Sequence, residues 1–442
     1  MINHRSFRDE HELSLLPAYE PTAEVVPVAA VYGANASGKS NLLSGLRFMA
    51  AAVTRSFGDW PAEGGVPRRP FRLDPAARAK PSGFVVELIS GGVPYTYGFT
   101  VDDVRVCEEW LYSYPEGRKR KLFERNGDTV RFGSTVPELR GKLEVLEALT
   151  RPNALFLSLA AQSNITALLP VHRWFAQHLT FRLAEAPAGT AVQVKRFLRT
   201  HPERRDQLVD LLRAADLGIS GIAEDPLDEK VENAARDAAD EAEAAMAAYA
   251  RSTYSEDHDA AARAAVALVD ARHRREELRE VHHRRQNRLQ LTHGELGEVF
   301  DLEEESAGTR SWLALLPTVL VALAEGTTLV VDEIDTSLHP RLTARLVSLF
   351  QDLRTNPRQA QLIFTTHDTS LLGTMLGEEV LRRDQVWFVQ KDPRGASTLY
   401  PLTDFHPRKD ENTERRYLGG SYGAVPVLSE QDFIDAVLPA SQ

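Results

Sequence analysis

The chain has 442 residues, of which 43% are hydrophobic and 26% are charged, and its formal net charge is −11. This composition is that of an ordinary globular protein and excludes a disordered or fibrous chain. The length exceeds what one hydrophobic core usually organises, so we expect two structural units or one domain with large insertions. The acidic balance argues against indiscriminate coating of nucleic acid but permits a local basic patch.

The sequence offers no signal for membrane insertion or export. No apolar run approaches the roughly 20 residues that cross a bilayer, and the first residues lack the apolar region of a signal peptide. The single cysteine, Cys107, cannot form an internal disulfide, which agrees with a reducing compartment. We therefore expect a cytoplasmic protein with no membrane partner.

The N-terminal segment leads into a phosphate-binding pattern. Alternation predicts short strands at 2–7 and 11–16, and an apolar run predicts a buried strand at 25–31. A helix is expected over 41–52. Between this strand and this helix, residues 33–40 read Gly-Ala-Asn-Ala-Ser-Gly-Lys-Ser, which has the spacing of a phosphate loop in its required context.

The residue types of this loop suit a nucleotide triphosphate. Gly33 and Gly38 allow the backbone to wrap closely around phosphate oxygens, and the following helix adds its positive end. Lys39 is expected to reach the β- and γ-phosphates, and the Ser40 hydroxyl to bind Mg²⁺. An ordinary glycine-rich turn is the alternative, disfavoured because all four fixed positions are present. The expected nucleotide-binding residues here are Gly33, Asn35, Ala36, Ser37, Gly38, Lys39, Ser40 and Asn41.

The middle of the chain changes from strands to helices. After a Pro/Gly/Arg-rich connection at 54–80, alternating segments at 84–90, 95–114 and 121–132 predict antiparallel hairpins. Residues 138–218 are mostly helical by periodicity. The expected divisions are a core half at 1–53, an antiparallel β region at 54–137, a helical subdomain at 138–227, a helical insertion at 228–293 and a second core half at 294–442.

The insertion contains neither Gly nor Pro from 228 to 292, which predicts a helical hairpin that turns near 252–257. Its apolar positions do not hold a heptad, so a solvated, partly packed helical pair is favoured over a coiled coil. A basic cluster there indicates a nucleic-acid or acidic-protein partner, or a solvated face with internal ion pairs, and interspersed glutamates favour the last. The cluster comprises Arg272, Arg274, Arg275, Arg279, Arg284, Arg285 and Arg288.

The last third has regular α/β alternation. Helices are expected at 309–325 and 340–354, and strands at 327–332, 361–366, 385–390 and 397–402. Asp332 ends the first of these strands and is the expected Mg²⁺ ligand, while Glu333 is placed to polarise the attacking water as general base. His367 follows the next strand and is expected to hydrogen-bond the γ-phosphate or the attacking water. The expected catalytic residues are therefore Glu333, His367 and Lys39.

Segments 305–310, 329–340 and 365–368 resemble the ABC-type ATPases related to SMC, Rad50 and RecF proteins, as do the opening residues 3–7. Within that group the chain is similar to the AAA-type ATPases of bacterial abortive-infection and phage-defence operons, such as RloA-like proteins and the ATPase subunit of PARIS systems. The similarity covers 1–50 and 294–372 well, and the middle third only loosely.

This resemblance implies an α/β fold: an ABC-type P-loop NTPase with a mixed sheet, an antiparallel β subdomain and a helical insertion, using ATP and Mg²⁺. It implies that Ser306 and Gly308 complete the nucleotide site of a second protomer and that Asp335 reaches across the dimer interface. Gln162 is the residue this chain offers as a further Mg²⁺ ligand. Arg5 and Phe7 are expected near the base or ribose.

The function implied is an ATPase that dimerises around ATP and controls a separate effector, a nuclease or toxin, in anti-phage defence. The alternative is an SMC- or RecF-like scaffold that uses ATP to bind DNA during repair. A transporter subunit is a third reading, disfavoured by the long insertion. The expected partners are a second copy of the chain and an effector protein, with nucleic acid left open.

Overall fold

The computed structural model describes residues 1–19, 24–133, 143–182, 189–223, 227–253, 258–286, 288–377, 379–408 and 411–437. Two compact units are formed, one by Met1–Ala184 with Val321–Gln442 and the other by Glu185–Leu320. The strands are β1 Val28–Tyr32, β2 Ser82–Ser90, β3 Val93–Val101, β4 Val106–Ser113, β5 Arg120–Asn126, β6 Thr129–Phe132, β7 Leu179–Arg182, β8 Ile219–Ala223, β9 Gln290–His293, β10 Glu298–Asp301, β11 Thr328–Val331, β12 Gln361–Thr365, β13 Val386–Lys391 and β14 Ser397–Pro401. The helices are α1 Lys39–Asp59, α2 Pro75–Ala79, α3 Leu143–Leu149, α4 Phe156–Gln162, α5 Leu169–Gln177, α6 Thr190–Thr200, α7 Arg205–Ala214, α8 Leu227–Ser252, α9 His258–Gln286, α10 Ala307–Glu325, α11 Pro340–Gln351, α12 Thr413–Leu418 and α13 Glu430–Val437.

The first unit is built on a six-stranded mixed sheet in the order β14-β13-β1-β12-β11-β7. All neighbouring strands are parallel except β13 and β14. β1 and β11 are buried along their whole length and are apolar except for Thr328, as expected of strands covered on both faces. Because parallel strands end at one edge, the loops after β1, β11 and β12 meet there.

An antiparallel sheet in the order β2-β3-β4-β5-β6 forms the second layer of this unit. The predicted hairpins are confirmed, with Gly91 and Gly92 at the β2–β3 turn at φ of 58° and 74°. Such positive angles at both turn positions suit glycine. Aromatic side chains from this sheet pack into the core, where Phe84 lies 5.4 Å from Phe99 between ring centroids.

The second unit contains a three-stranded antiparallel sheet in the order β10-β9-β8 and the helical insertion. Helices α8 and α9 pack on one another, which confirms the predicted helical pair. Small side chains at their interface, Ala238, Ala242 and Ala271, are buried. Most of the predicted turn at 252–257 lies outside the described residues. The helix ends at Gln286, and Gln290–His293 forms β9, so the helical prediction extended too far.

Other predictions at the chain's start and middle were wrong. Segments 2–7 and 11–16 form no strand, and only isolated bridges such as Ile2 with Gly83 are made. Asn3 and Arg5 both have φ of 51°, which is incompatible with an extended run. Leu179–Arg182, within the segment predicted helical, is instead β7 and pairs with β11.

Helix α10 is the one candidate membrane span among the described residues, with a mean hydropathy of 1.4 over 18 residues. By length and composition it could cross a bilayer, which the search for long apolar runs had missed. More than half of that window, 56%, is buried within the protein, so the helix is weak evidence for a membrane span. The α/β fold class is confirmed, with its mixed sheet, antiparallel β region and helical insertion.

Candidate nucleotide site

The phosphate loop joins β1 to α1 and depends on its glycines for space. A Cβ at Gly33 would lie 2.6 Å from the Ser37 hydroxyl and would also collide with the Val389 carbonyl. A Cβ at Gly38, where φ is 119°, would lie 2.7 Å from the Ser6 hydroxyl. Both positions therefore exclude any side chain.

Two serines from distant parts of the chain support this loop. The Ser397 hydroxyl, at the start of β14, donates to the Ser37 carbonyl at 2.5 Å and lies 2.8 Å from the Ser6 hydroxyl. The Asn41 amide nitrogen donates to the Ser6 hydroxyl at 2.8 Å. These contacts tie the loop to the N-terminal segment and to β14. Neither serine carried a sequence signal for this role.

Lys39 is buried in the loop, with 6% of its surface exposed, and its ammonium group donates hydrogen bonds to neighbouring acceptors. Its Nζ donates to the Gly33 carbonyl at 2.9 Å and lies 3.0 Å from His367 Nε2. Burial lowers the pKa of Lys39, and burial followed by the charge of Lys39 lowers the pKa of His367. Because an ammonium has no acceptor, the imidazole accepts through Nε2 and carries its proton on Nδ1.

A second pair of oxygens, from Ser40 and Asp332, lies beside the lysine. The Ser40 hydroxyl donates to Asp332 Oδ1 at 3.1 Å, and Thr365 Oγ1 donates to the same oxygen at 2.6 Å. Two adjacent ligands of octahedral Mg²⁺ stand about 2.9 Å apart when each metal–oxygen distance is about 2.05 Å. The Ser40 and Asp332 oxygens therefore fit one Mg²⁺.

The surrounding residues suit magnesium rather than a metal held by protein alone. Among the residues that the structure describes, no group of three or more His, Cys, Asp or Glu could hold a metal ion. Mg²⁺ usually takes one or two protein groups and completes its shell with phosphate oxygens and water. The Ser40 hydroxyl and the Asp332 carboxylate, as two protein oxygen ligands, agree with this mode of magnesium coordination.

Glu333 and Asp335 follow β11 in a tight turn. The Glu333 backbone N–H donates to Thr365 Oγ1 at 2.7 Å, and its φ is 51°. The Asp335 carboxylate accepts the backbone N–H of His367 at 3.2 Å. Hydrogen bonds on both sides of the Ser40–Asp332 pair thus join the loops that follow β11 and β12. His367 and Ser40 are solvent-exposed, so the site is open to a ligand.

Two predicted residues are not brought to this site. Gln162 ends α4, and its amide lies beside Gly58 near the end of α1. At 1.5 Å per residue, Gly58 is about 29 Å along the helix from Lys39, so Gln162 cannot share its ligand. Phe7 is fully buried and packs edge-on against His11, so it has no face for a base.

Arg5, in contrast, lines a cavity of about 650 Å³ beside the loop. Its guanidinium donates to the Asn41 side-chain oxygen at 3.2 Å. Burial, with the charges of Arg69 and Arg47, lowers the pKa of Arg5. Four of the arginines on the cavity wall belong to the Pro/Gly/Arg-rich segment 54–80, which was interpreted from the sequence only as a connection. Further cations on the wall are Arg68, Arg69, Arg72, Arg78 and Lys391.

Ser306 and Gly308 lie in the second unit at the start of α10. The Ser306 hydroxyl accepts the Thr309 N–H at 3.0 Å and so caps this helix. Arg310 donates to the Glu305 carbonyl at 2.5 Å, which fixes the preceding turn. The segment is therefore formed as a helix N-terminus, with Gly308 in the first turn.

Residues 28–373 match the family described as "AAA domain, putative AbiEii toxin, Type IV TA system". The matched segment exceeds half of the chain and contains the phosphate loop, Asp332 and His367. The chain belongs to this AAA-domain family. No curated protein matches it.

Among solved structures, the AAA-domain chain is similar to the Smc head domain from Pyrococcus furiosus, with an extended coiled coil bound to the C-terminal domain of ScpA. The two are 12% identical, and the match covers 86% of this chain and 92% of that chain, with a TM-score of 0.27. A TM-score this low adds nothing to the assignment, which depends on the family match.

Proposed function

We propose that this AAA-domain protein binds ATP with Mg²⁺ and hydrolyses it to ADP and phosphate. One observation carries the proposal: the Ser40 hydroxyl and the Asp332 carboxylate lie 3.1 Å apart, next to the lysine of a complete phosphate loop. Segments almost 300 residues apart in sequence thus meet at one ligand-sized position. When bound, Mg²⁺ would offset the charge of the β- and γ-phosphates.

The chain's own groups then have separate tasks. Lys39, now held by loop carbonyls, turns to the β- and γ-phosphates, which are stronger acceptors for an ammonium. Glu333 takes a proton from the attacking water, and the water attacks the γ-phosphorus while the bond to the β-phosphate oxygen breaks. His367, released by Lys39, contacts the γ-phosphate. Arg5 and its neighbouring arginines face the base or ribose side.

The active form is a dimer with two ATP molecules at its interface. Ser306 and Gly308 would contact the γ-phosphate bound by the other protomer, and the N-terminus of α10 would add its positive end. Asp335 would reach across the same interface. The position of Ser306 supports this arrangement, because its hydroxyl caps the N-terminus of α10 and thus lies at the positive end of that helix.

The biological role we propose is control of a separate effector, a nuclease or toxin, in bacterial anti-phage defence. The family description, which names toxin–antitoxin systems, supports this role. The resemblance of segments 305–310, 329–340 and 365–368 to ATPases of abortive-infection operons agrees with this role, and we propose a cytoplasmic setting with it. Purifying the protein from its native operon should recover the effector as a stoichiometric companion, detected by mass spectrometry.

The enzymatic proposal is tested by nucleotide binding and turnover. The parental protein should bind a fluorescent ATP analogue in a Mg²⁺-dependent manner and release phosphate from ATP. Lys39→Ala should weaken the analogue's affinity at least about tenfold, because a charge-assisted contact to phosphate is removed. Lys80→Ala, at an exposed lysine outside the loop, is the matched control. Parental protein without Mg²⁺-dependent binding would refute the proposal.

A further inference from the structure

The second unit carries two adjoining cavities of about 800 and 460 Å³ between α6, α8 and α9. They share Glu232 and His282, so together they form one groove, here called the basic cleft. Its walls carry eight lysine and arginine side chains against three glutamates. A local excess of positive charge on a chain of net charge −11 is unexpected from composition.

Four of the eight basic side chains lie outside the arginine cluster at 272–288 that was identified in the sequence. Lys195, Arg196 and Arg199 project from α6, and Arg236 projects from α8. They join the arginines near the C-terminal end of α9, some 80 residues further along the chain. The packing of α6 and of α8 against α9 brings the two sets together.

Several arginines of the basic cleft form ion pairs with its glutamates. Glu232 is shared by Arg199, at 3.2 Å, and Arg236, at 3.6 Å. The pairs Arg279–Glu276 and Arg284–Glu280 are solvent-exposed, at 3.7 and 3.9 Å, and such pairs contribute little.

Two exposed arginines in the basic cleft are available to bind a ligand. Within the described residues, the side chains of Arg196 and Arg275 make no hydrogen bond or ion pair. A ligand can therefore use both without breaking a contact of the fold.

We propose that the basic cleft binds the phosphate backbone of a nucleic acid. Closely spaced arginines and lysines are the groups that neutralise phosphates. From Arg275 to Arg285 the cleft runs about 15 Å along α9, which matches roughly four nucleotides of one strand at about 3.4 Å each. An acidic protein is disfavoured because charged residues as a class are depleted at the centre of protein interfaces, whereas this groove is lined mainly by charged side chains.

The test measures binding of labelled 20-nucleotide DNA, as single strand and as duplex, and of the equivalent RNA, by fluorescence anisotropy. The cleft variant is Arg196→Glu with Arg275→Glu. The control is Arg251→Glu with Arg272→Glu, two exposed arginines on α8 and α9 that line neither cavity. The cleft variant should lose at least about tenfold in affinity, and its log–log salt slope should fall by about two.

The experiment distinguishes failure of the nucleic-acid proposal from failure of the ATPase proposal. Both variants should retain parental ATP hydrolysis, since neither changes the nucleotide site. Parental protein that binds none of the three nucleic acids, or a control that loses as much affinity as the cleft variant, would overturn the proposal. Tighter binding of labelled polyglutamate than of nucleic acid, lost in the cleft variant, would assign the basic cleft to an acidic protein instead.

Discussion

At the scale of single residues, the nucleotide site is held by hydrogen bonds that a ligand must replace. The Lys39 ammonium is shared between the Gly33 and Ala34 carbonyls and the His367 imidazole. The Asp335 carboxylate holds the backbone of His367 from the other side. Binding of a γ-phosphate would therefore change Lys39, His367 and the turn after β11 together.

Glu333→Gln tests the general base. The amide keeps the shape of the side chain but cannot take a proton, so hydrolysis should fall at least about a hundredfold, within the range of general-base effects. ATP affinity should persist, and the ATP-bound dimer should accumulate in size-exclusion chromatography. Gln162→Ala is the control, because Gln162 lies beside Gly58, and its turnover should stay parental. Parental turnover in Glu333→Gln would exclude Glu333 as the base.

His4 should make the protein sensitive to acid. It is 2% exposed, and burial, aided by the charges of Arg5 and Arg69, lowers its pKa to about 3. The unfolded chain binds a proton below its ordinary pKa of about 6.5. Stability is therefore lost as pH falls from 6.5 towards 3, by about 2 kcal/mol at pH 5.

The comparison with His4→Gln isolates this effect. The neutral glutamine cannot be protonated, so between pH 7 and pH 5 the parental protein should lose about 2 kcal/mol more stability than the variant. Urea titrations at the two pH values measure the difference. Identical losses in the two proteins would show that His4 does not cause the acid sensitivity.

At the scale of elements, a buried carboxylate joins the antiparallel sheet to α4. Glu109 on β4 is fully buried and accepts the backbone N–H groups of Phe156 at 2.6 Å and Leu157 at 3.0 Å. These are first-turn donors of α4, which has no side-chain cap of its own. The Tyr97 hydroxyl donates to Glu109 at 2.9 Å, and Arg125 lies 3.8 Å away.

Glu109→Gln should destabilise the first unit by about 3–5 kcal/mol, because Arg125 would remain buried without its counter-ion. Glu108→Gln, the exposed neighbour on the same strand, should change stability by less than about 0.5 kcal/mol. Urea titration followed by tryptophan fluorescence measures both. Equal stability of the two variants would mean that the Glu109–Arg125 pair contributes nothing net.

At the scale of the whole molecule, the proposed dimer predicts complementation. Lys39→Ala removes the phosphate contact of its own chain, and Ser306→Arg blocks the segment offered to the other chain. Each variant alone should hydrolyse little ATP. Mixed in equal amounts, they should recover about a quarter of parental activity, because half of the random dimers hold one complete site. No recovery on mixing would contradict composite sites.

The sequence by itself determined the phosphate loop, the acids after β11 and the hairpins of the antiparallel sheet. Each is encoded locally: Gly33 to Ser40 by fixed spacing, Asp332 by its place after an apolar strand, and the β2–β3 turn by Gly91 and Gly92. Local spacing and alternation decide such features before any long-range contact forms. For that reason the helices and strands predicted between 309 and 402 also agree with the structure.

Only the tertiary structure decided which residues far apart in the sequence lie close together. Leu179–Arg182 became a strand because β11 offers an edge, and Gln162 was carried to the far end of α1 because α4 packs there. Phe7 went into the core, and Arg196 came to lie with the α9 arginines. Burial and strand pairing depend on contacts between segments far apart in the chain, which no local pattern encodes.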